Sequence, residues 1–150
     1  MSSALKTELQ DAMKAAMKAG EKPRLAVIRL MLSALKQVEV DERIELDVTR
    51  VIGILDKMVK QRRESIGMFD KAGRDDLTKI EQAEIDVIQT FLPQALSAEE
   101  VEAIIKDAIS KTGAESIKDM GKVMGIVRPQ VVGRGDVGAI SGQIKAILSA

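Results

Sequence analysis

The chain has 150 residues, 23 of them basic and 23 acidic, so its formal net charge is zero, and it contains neither histidine nor cysteine. A length of this kind suits one ordinary domain or two small ones. Zero net charge argues against a protein that coats nucleic acid by bulk electrostatics, and the missing residue types exclude disulfide frameworks, thiolate chemistry, zinc ligand sets and the common nucleophile–base pairs.

Leu5, Leu9, Met13, Ala16 and Met17 recur at three- and four-residue spacing as far as Gly20, which predicts a first helix closed by a left-handed cap. Pro23 suits the first turn of a second helix, in which Leu25, Ile28, Leu32 and Leu35 form a stripe and Arg24, Arg29 and Lys36 lie outside it. That helix is expected to end near Val38, and the acidic run from Glu39 to Asp47 reads as a solvated connection. Val51, Leu55, Met58, Val59, Ile66 and Phe69 mark a long third helix closing at Gly73. A fourth carries Leu77, Ile80, Val87, Ile88 and Phe91 and is stopped by Pro93.

After the connector Leu92 to Leu96, Ser97 and Glu100 have the spacing of a capping box. Val101, Ile104, Ile105, Ala108 and Ile109 predict a fifth helix ending at Gly113. Ser116 caps a short sixth bearing Met120, Val123, Met124 and Val127, which Pro129 is expected to terminate. Asp136 caps the last, with Val137, Ile140, Ile144, Ile147 and Leu148 on its stripe. No alternating strand pattern occurs. The fold expected is all-α, with a four-helix N-terminal part over 1–93 and a small three-helix C-terminal part over 97–150. Met13, Met17, Met58, Met120 and Met124 all fall on apolar stripes and read as core fillers.

The first residues alternate charge with apolar side chains, unlike a signal peptide, and no apolar run approaches the roughly 20 residues of a membrane span. With no cysteine either, the expected setting is cytoplasmic, without membrane contact. Phe69 and Phe91 are the only aromatic residues, so no row of platforms exists on which unpaired bases could stack.

Charge is nonetheless polarised within the C-terminal part. Glu99, Glu100, Glu102, Asp107 and Glu115 outnumber Lys106 and Lys111 over 97–115, whereas Lys118, Lys122, Arg128, Arg134 and Lys145 outnumber Asp119 and Asp136 over 116–150. These cations stand among glycines, in Gly121-Lys122-Val123-Met124-Gly125 and Gly133-Arg134-Gly135-Asp136. Glycine permits close approach of a phosphate, and a neighbouring cation adds charge. The same glycines also serve as plain turn or packing residues, and neither segment matches a nucleotide-binding loop. Asp136 would oppose an anion at the last helix start, so Lys122 and Arg134 are the better candidates.

A second constellation, Lys57, Lys60, Gln61, Arg62, Arg63 and Glu64, lies on the third helix, where Lys60 and Glu64 are spaced to pair. Arg62 falls beside the apolar stripe and needs a partner. An acid of the fourth helix such as Glu84 is the structural expectation, and a phosphate is the alternative. Glu39, Asp41, Glu42, Glu45, Asp75 and Asp76 read as solvating or capping groups. No catalytic residue, metal site or cofactor is assigned.

Arg24-Leu25-Ala26-Val27-Ile28-Arg29, Lys60-Gln61-Arg62-Arg63-Glu64-Ser65, Asp119-Met120-Gly121-Lys122-Val123-Met124 and Gly133-Arg134-Gly135-Asp136, in this order, resemble the GatB/YqeY family over essentially the full chain. The resemblance implies a module similar to the tail of the B subunit of the glutamine-dependent aminoacyl-tRNA amidotransferase, which helps to grip tRNA. It implies tRNA as partner, with amidotransferase or aminoacyl-tRNA synthetase components as further partners. It carries Lys122 and Arg134 over as motif positions; Lys118, Arg128, Lys60, Arg62 and Arg63 join them as nucleic-acid-binding candidates on their charge and placement. The catalytic domains of that enzyme have no counterpart here. One departure is Gly135, where the family commonly has a larger residue. A helical protein-interaction adaptor and an amidotransferase-linked component that uses glutamine as amido donor are the alternative readings.

Overall fold

The computed structural model describes residues 3–150. Among them are seven α-helices and one 3₁₀ turn, with no strand, so the all-α expectation holds. Contacts divide the chain into two compact units, Met1–Pro93 and Gln94–Ala150.

The first unit contains α1 (Ala4–Ala19), α2 (Lys22–Glu42), α3 (Val48–Lys71) and α4 (Asp75–Gln89). Ser3 begins α1 by accepting a bond from the Leu5 amide at 3.2 Å, and Gly20 ends it at φ 71°. Asp47 caps α3 through the Arg50 amide at 2.8 Å. Asp75 and Asp76 place negative charge in the first turn of α4, where the helix dipole favours it. The core is formed by Leu9, Ile28, Met31, Leu35, Leu46, Val51, Leu55, Val59 and Ile88, with α3 packed most extensively on α4.

Three expectations for this unit are corrected. First, α2 does not stop at Val38 but runs to Glu42, because Lys6 reaches Glu39 at 2.6 Å and Gln37 holds Asp41 at 2.9 Å, so the acids extend the helix. Arg43 then turns the chain at φ 56°, and Leu46 is buried, so the connection is anchored in the core rather than fully solvated. Second, Met17 and Ile80 are 52% and 56% exposed, at the edges of their stripes rather than in the core. Third, Lys60 pairs with Asp56 at 3.3 Å instead of Glu64.

The second unit contains α5 (Ala98–Thr112), the 3₁₀ turn Ile117–Asp119, α6 (Met120–Val131) and α7 (Val137–Leu148). The capping box of α5 is present in both directions, with the Glu100 amide on Ser97 Oγ at 3.1 Å and the Ser97 amide on Glu100 Oε1 at 3.3 Å. Asp136 caps α7 through the Ala139 amide at 3.2 Å. Val101, Ile105, Ala108, Val123, Val127, Val131, Ile140, Ile144 and Leu148 form the core. Pro129 does not end α6, which continues through it to Val131. The missing amide falls in the last turn, and burial of Val131 in register with Val123 and Val127 outweighs the loss of one bond. Ile147, placed on the apolar stripe by spacing, is 48% exposed.

Candidate nucleic-acid interface

Three basic residues of the second unit lie on two successive elements. Lys118 stands in the 3₁₀ turn, Lys122 in the first turn of α6 and Arg128 near its end, all three exposed. At 3.6 residues per turn, burial of Val123, Val127 and Val131 fixes the opposite side of α6 as a row of Gly121, Gly125 and Pro129. Lys122 and Arg128 flank Gly125 on either side of that row. A Cβ at Gly121 or Gly125 would meet nothing within 4 Å, so packing requires neither glycine. The outer face of α6 is thus nearly bare backbone between two cations.

Among the described residues, none of Lys118, Lys122 and Arg128 makes an ion pair, whereas both lysines of α5 are paired, Lys106 with Glu102 and Lys111 with Asp107, each at 3.0 Å. The acidic stretch therefore neutralises its own cations, and the basic stretch leaves its cations available. Asp119, three residues before Lys122, is an acid of this stretch that feels the Lys122 charge. Its carboxylate accepts the amides of Glu115 at 3.0 Å and Ser116 at 3.3 Å, and these bonds, followed by the Lys122 charge, hold its carboxyl below the ordinary range.

Arg134 has a different position. Its Nε donates to the Gln94 carbonyl at 3.0 Å, and its own carbonyl accepts the Leu96 amide at 2.8 Å. It braces the segment leading into α5, a role invisible in sequence because the partners are 40 positions apart. Gly133, at φ 74°, makes the turn that presents Arg134. Gly135 is close-packed, since a Cβ there would come within 3.3 Å of Ile140 Cδ1.

In the first unit, Arg62 has the partner its position demanded. Its Nε donates to Glu84 Oε2 at 2.7 Å and its Nη1 to the Met58 carbonyl at 3.3 Å, tying α3 to α4. With Lys60 held by Asp56, Lys57 and Arg63 are the cations of that constellation without an ion pair among the described residues. Lys118, Lys122 and Arg128 thus follow one another along the 3₁₀ turn and α6, whereas Arg62 and Arg134 make structural bonds. No group of three or more acids suited to a metal ion occurs among the described residues, nor any helix long and apolar enough to cross a membrane.

The model of the Yqey-like protein family matches residues 6–148. The chain belongs to this family. The YqeY-like chain is also similar to proteins named "Altered inheritance of mitochondria protein 41, mitochondrial". It is 43% identical to that of Eremothecium gossypii over 99 residues, which cover 63% of this chain and 54% of the relative. For Vanderwaltozyma polyspora the identity is 33% over 120 residues, covering 75% and 64%. For Kluyveromyces lactis it is 33% over 144 residues, covering 92% and 72%. The matched region thus spans less than two-thirds of the first two relatives' own length. The mitochondrial names overturn the cytoplasmic expectation. Absence of cysteine excludes a disulfide framework without specifying which compartment the chain occupies.

Proposed function

We propose that this YqeY-like chain is a tRNA-binding accessory module that contacts RNA backbone through the outer face of α6, and that its two units are separate four-helix and three-helix domains. The observation that carries the reading is the pair of unpaired cations, Lys122 and Arg128, flanking a helix face stripped of side chains at Gly121 and Gly125. Lys118, one turn before Lys122, extends the cationic edge. Binding of a folded RNA by shape needs a few fixed cations and close access to its phosphates. A helix backbone without Cβ atoms lets a ribose–phosphate chain come closer than side chains would allow, and the helix holds its cations in place. The shared family supports tRNA as the RNA, and the relatives' names favour a mitochondrial setting. The chain acts as a grip for partners that carry the amidotransferase or synthetase chemistry.

The test is the affinity for bulk tRNA measured across a salt series. Lys122→Ala and Arg128→Ala should each weaken binding and reduce the slope of log affinity against log salt by about one unit. Lys111→Ala, which removes a cation already paired with Asp107, serves as the comparison. Unchanged affinity and slope in a Lys122→Ala/Arg128→Ala double variant would refute the site. The adaptor reading would be favoured if tRNA binding of the unaltered chain were absent at low salt.

A further inference from the structure

In α2 the buried residues Val27, Ile28, Met31 and Leu35 define one side of the helix. Diametrically opposite, by the 3.6-residue period, runs the exposed row Lys22, Ala26, Arg29, Ser33 and Lys36. From Lys22 to Val38 the helix carries four cations, the fourth being Arg24, and no acid. Arg24 lies off the row, over the Phe91 ring at 5.3 Å and 3.9 Å from Glu21. The three row cations are different: among the described residues none of them makes an ion pair or a side-chain hydrogen bond. The flanking acids are engaged elsewhere, Glu39 with Lys6, Glu42 with Arg50, and Asp41 with Gln37.

We propose that this outer face of α2 is a second docking surface, one that lies along the phosphate backbone of a nucleic acid and acts independently of the α6 cations. The row cations recur every seventh residue, so at 1.5 Å rise they are about 10 Å apart along a straight line. A duplex presents phosphates at a fixed repeat, one charge per about 1.7 Å of axis with both strands counted, so a straight row of cations about 21 Å long has a phosphate near each of its three positions. Ala26 and Ser33, the residues between the cations, are small enough to leave the three long side chains standing clear. A membrane-binding helix would instead need large apolar side chains beside its cations. The large apolar residues of α2 are mostly committed to the core, with Leu30 at the side of the row and Val40 beyond its end. An acidic protein is the other polyanion to separate, and it has no fixed repeat to match this spacing.

The experiment titrates bulk tRNA against the full chain over a salt series, comparing Lys22→Ala/Arg29→Ala/Lys36→Ala, the charge-conserving Lys22→Arg/Arg29→Lys/Lys36→Arg, and Lys122→Ala/Arg128→Ala. The alanine triple should lower the salt slope by about two to three units, and the charge-conserving triple should restore it. Because the three side chains are exposed, helicity should be unchanged. Should the triple lose helicity, Arg29→Ala alone carries the same test, with an expected loss of about one unit. Loss in the α2 variant with none in the α6 variant supports this surface and refutes only the α6 site. An unchanged slope in the alanine triple overturns the proposal whatever the α6 variant does. It is equally overturned if the alanine triple loses more affinity for polyglutamate or for phosphatidylglycerol vesicles than for tRNA.

Discussion

Arg62 shows how one residue's position can demand a partner before any contact is known. Its placement beside Met58 and Val59 on α3 buries most of a guanidinium that cannot lose its charge, and Glu84 on α4 supplies the counter-charge at 2.7 Å, with side-chain exposures of 15% and 25%. A pair this sheltered is expected to lie between the roughly 1 kcal/mol of an exposed bridge and the 3–5 kcal/mol lost when a fully buried one is broken. Arg62→Ala should therefore destabilise the chain by about 1–3 kcal/mol in urea unfolding. Glu84→Gln should cost less, since an amide oxygen still accepts a bond, and Arg62→Met/Glu84→Leu should recover part of the loss because no charge is then stranded. A double variant as unstable as the sum of both single changes would show that the two residues do not act as a pair.

At the scale of elements, α6 carries local features that oppose its own helicity. Gly125 costs the helix interior about 0.5–1 kcal/mol relative to alanine, Gly121 weakens its first turn by less, and Pro129 removes one backbone bond. The helix forms because Val123, Val127 and Val131 are completely buried on the other side. Gly125→Ala should raise stability by about 0.5–1 kcal/mol and Gly121→Ala by less, since the added methyl meets nothing at either position. Gly133→Ala should lower stability, since φ 74° is strained for any residue with a Cβ. Thermal melts of the three variants check this, and a destabilised Gly125→Ala would mean that the outer face of α6 is packed rather than open. If that face grips RNA backbone, Gly125→Ala should be more stable and bind more weakly, a separation that a purely structural glycine would not produce.

At the scale of the whole molecule, the two units have separate cores, one centred on Leu9, Ile28, Leu55 and Ile88, the other on Ile105, Val127, Ile140 and Ile144. The second is small, and small cores leave little margin above unfolding. Ile144→Ala removes a fully buried side chain at an expected cost of about 2–5 kcal/mol. Amide hydrogen exchange should then show lost protection through α5, α6 and α7 while α1 to α4 keep theirs. Equal loss in both units would show that they fold as one cooperative body.

How much of this was legible in the sequence depended on how far apart the interacting residues lie. Caps and stripes were legible because they are set by residues three or four positions apart: Ser97 with Glu100, Asp136 with Ala139, Gly20 and Gly113 at left-handed ends, and the valines of α6. The Arg62–Glu84 pair was legible because the apolar stripe of α3 itself exposed the misplaced charge. The helix ends differ from the local signals where tertiary contacts override them. Lys6 draws the acidic end of α2 into the helix, Leu46 is pulled into the core, and buried Val131 carries α6 past Pro129. The tie of Arg134 to Gln94 and Leu96 left no trace in local spacing, because each partner is an ordinary backbone group. Periodicity therefore determined which segments are helices and which side of each is apolar. Only the tertiary structure decided which cations are neutralised and which stand free, because pairing depends on what the fold brings within hydrogen-bonding distance.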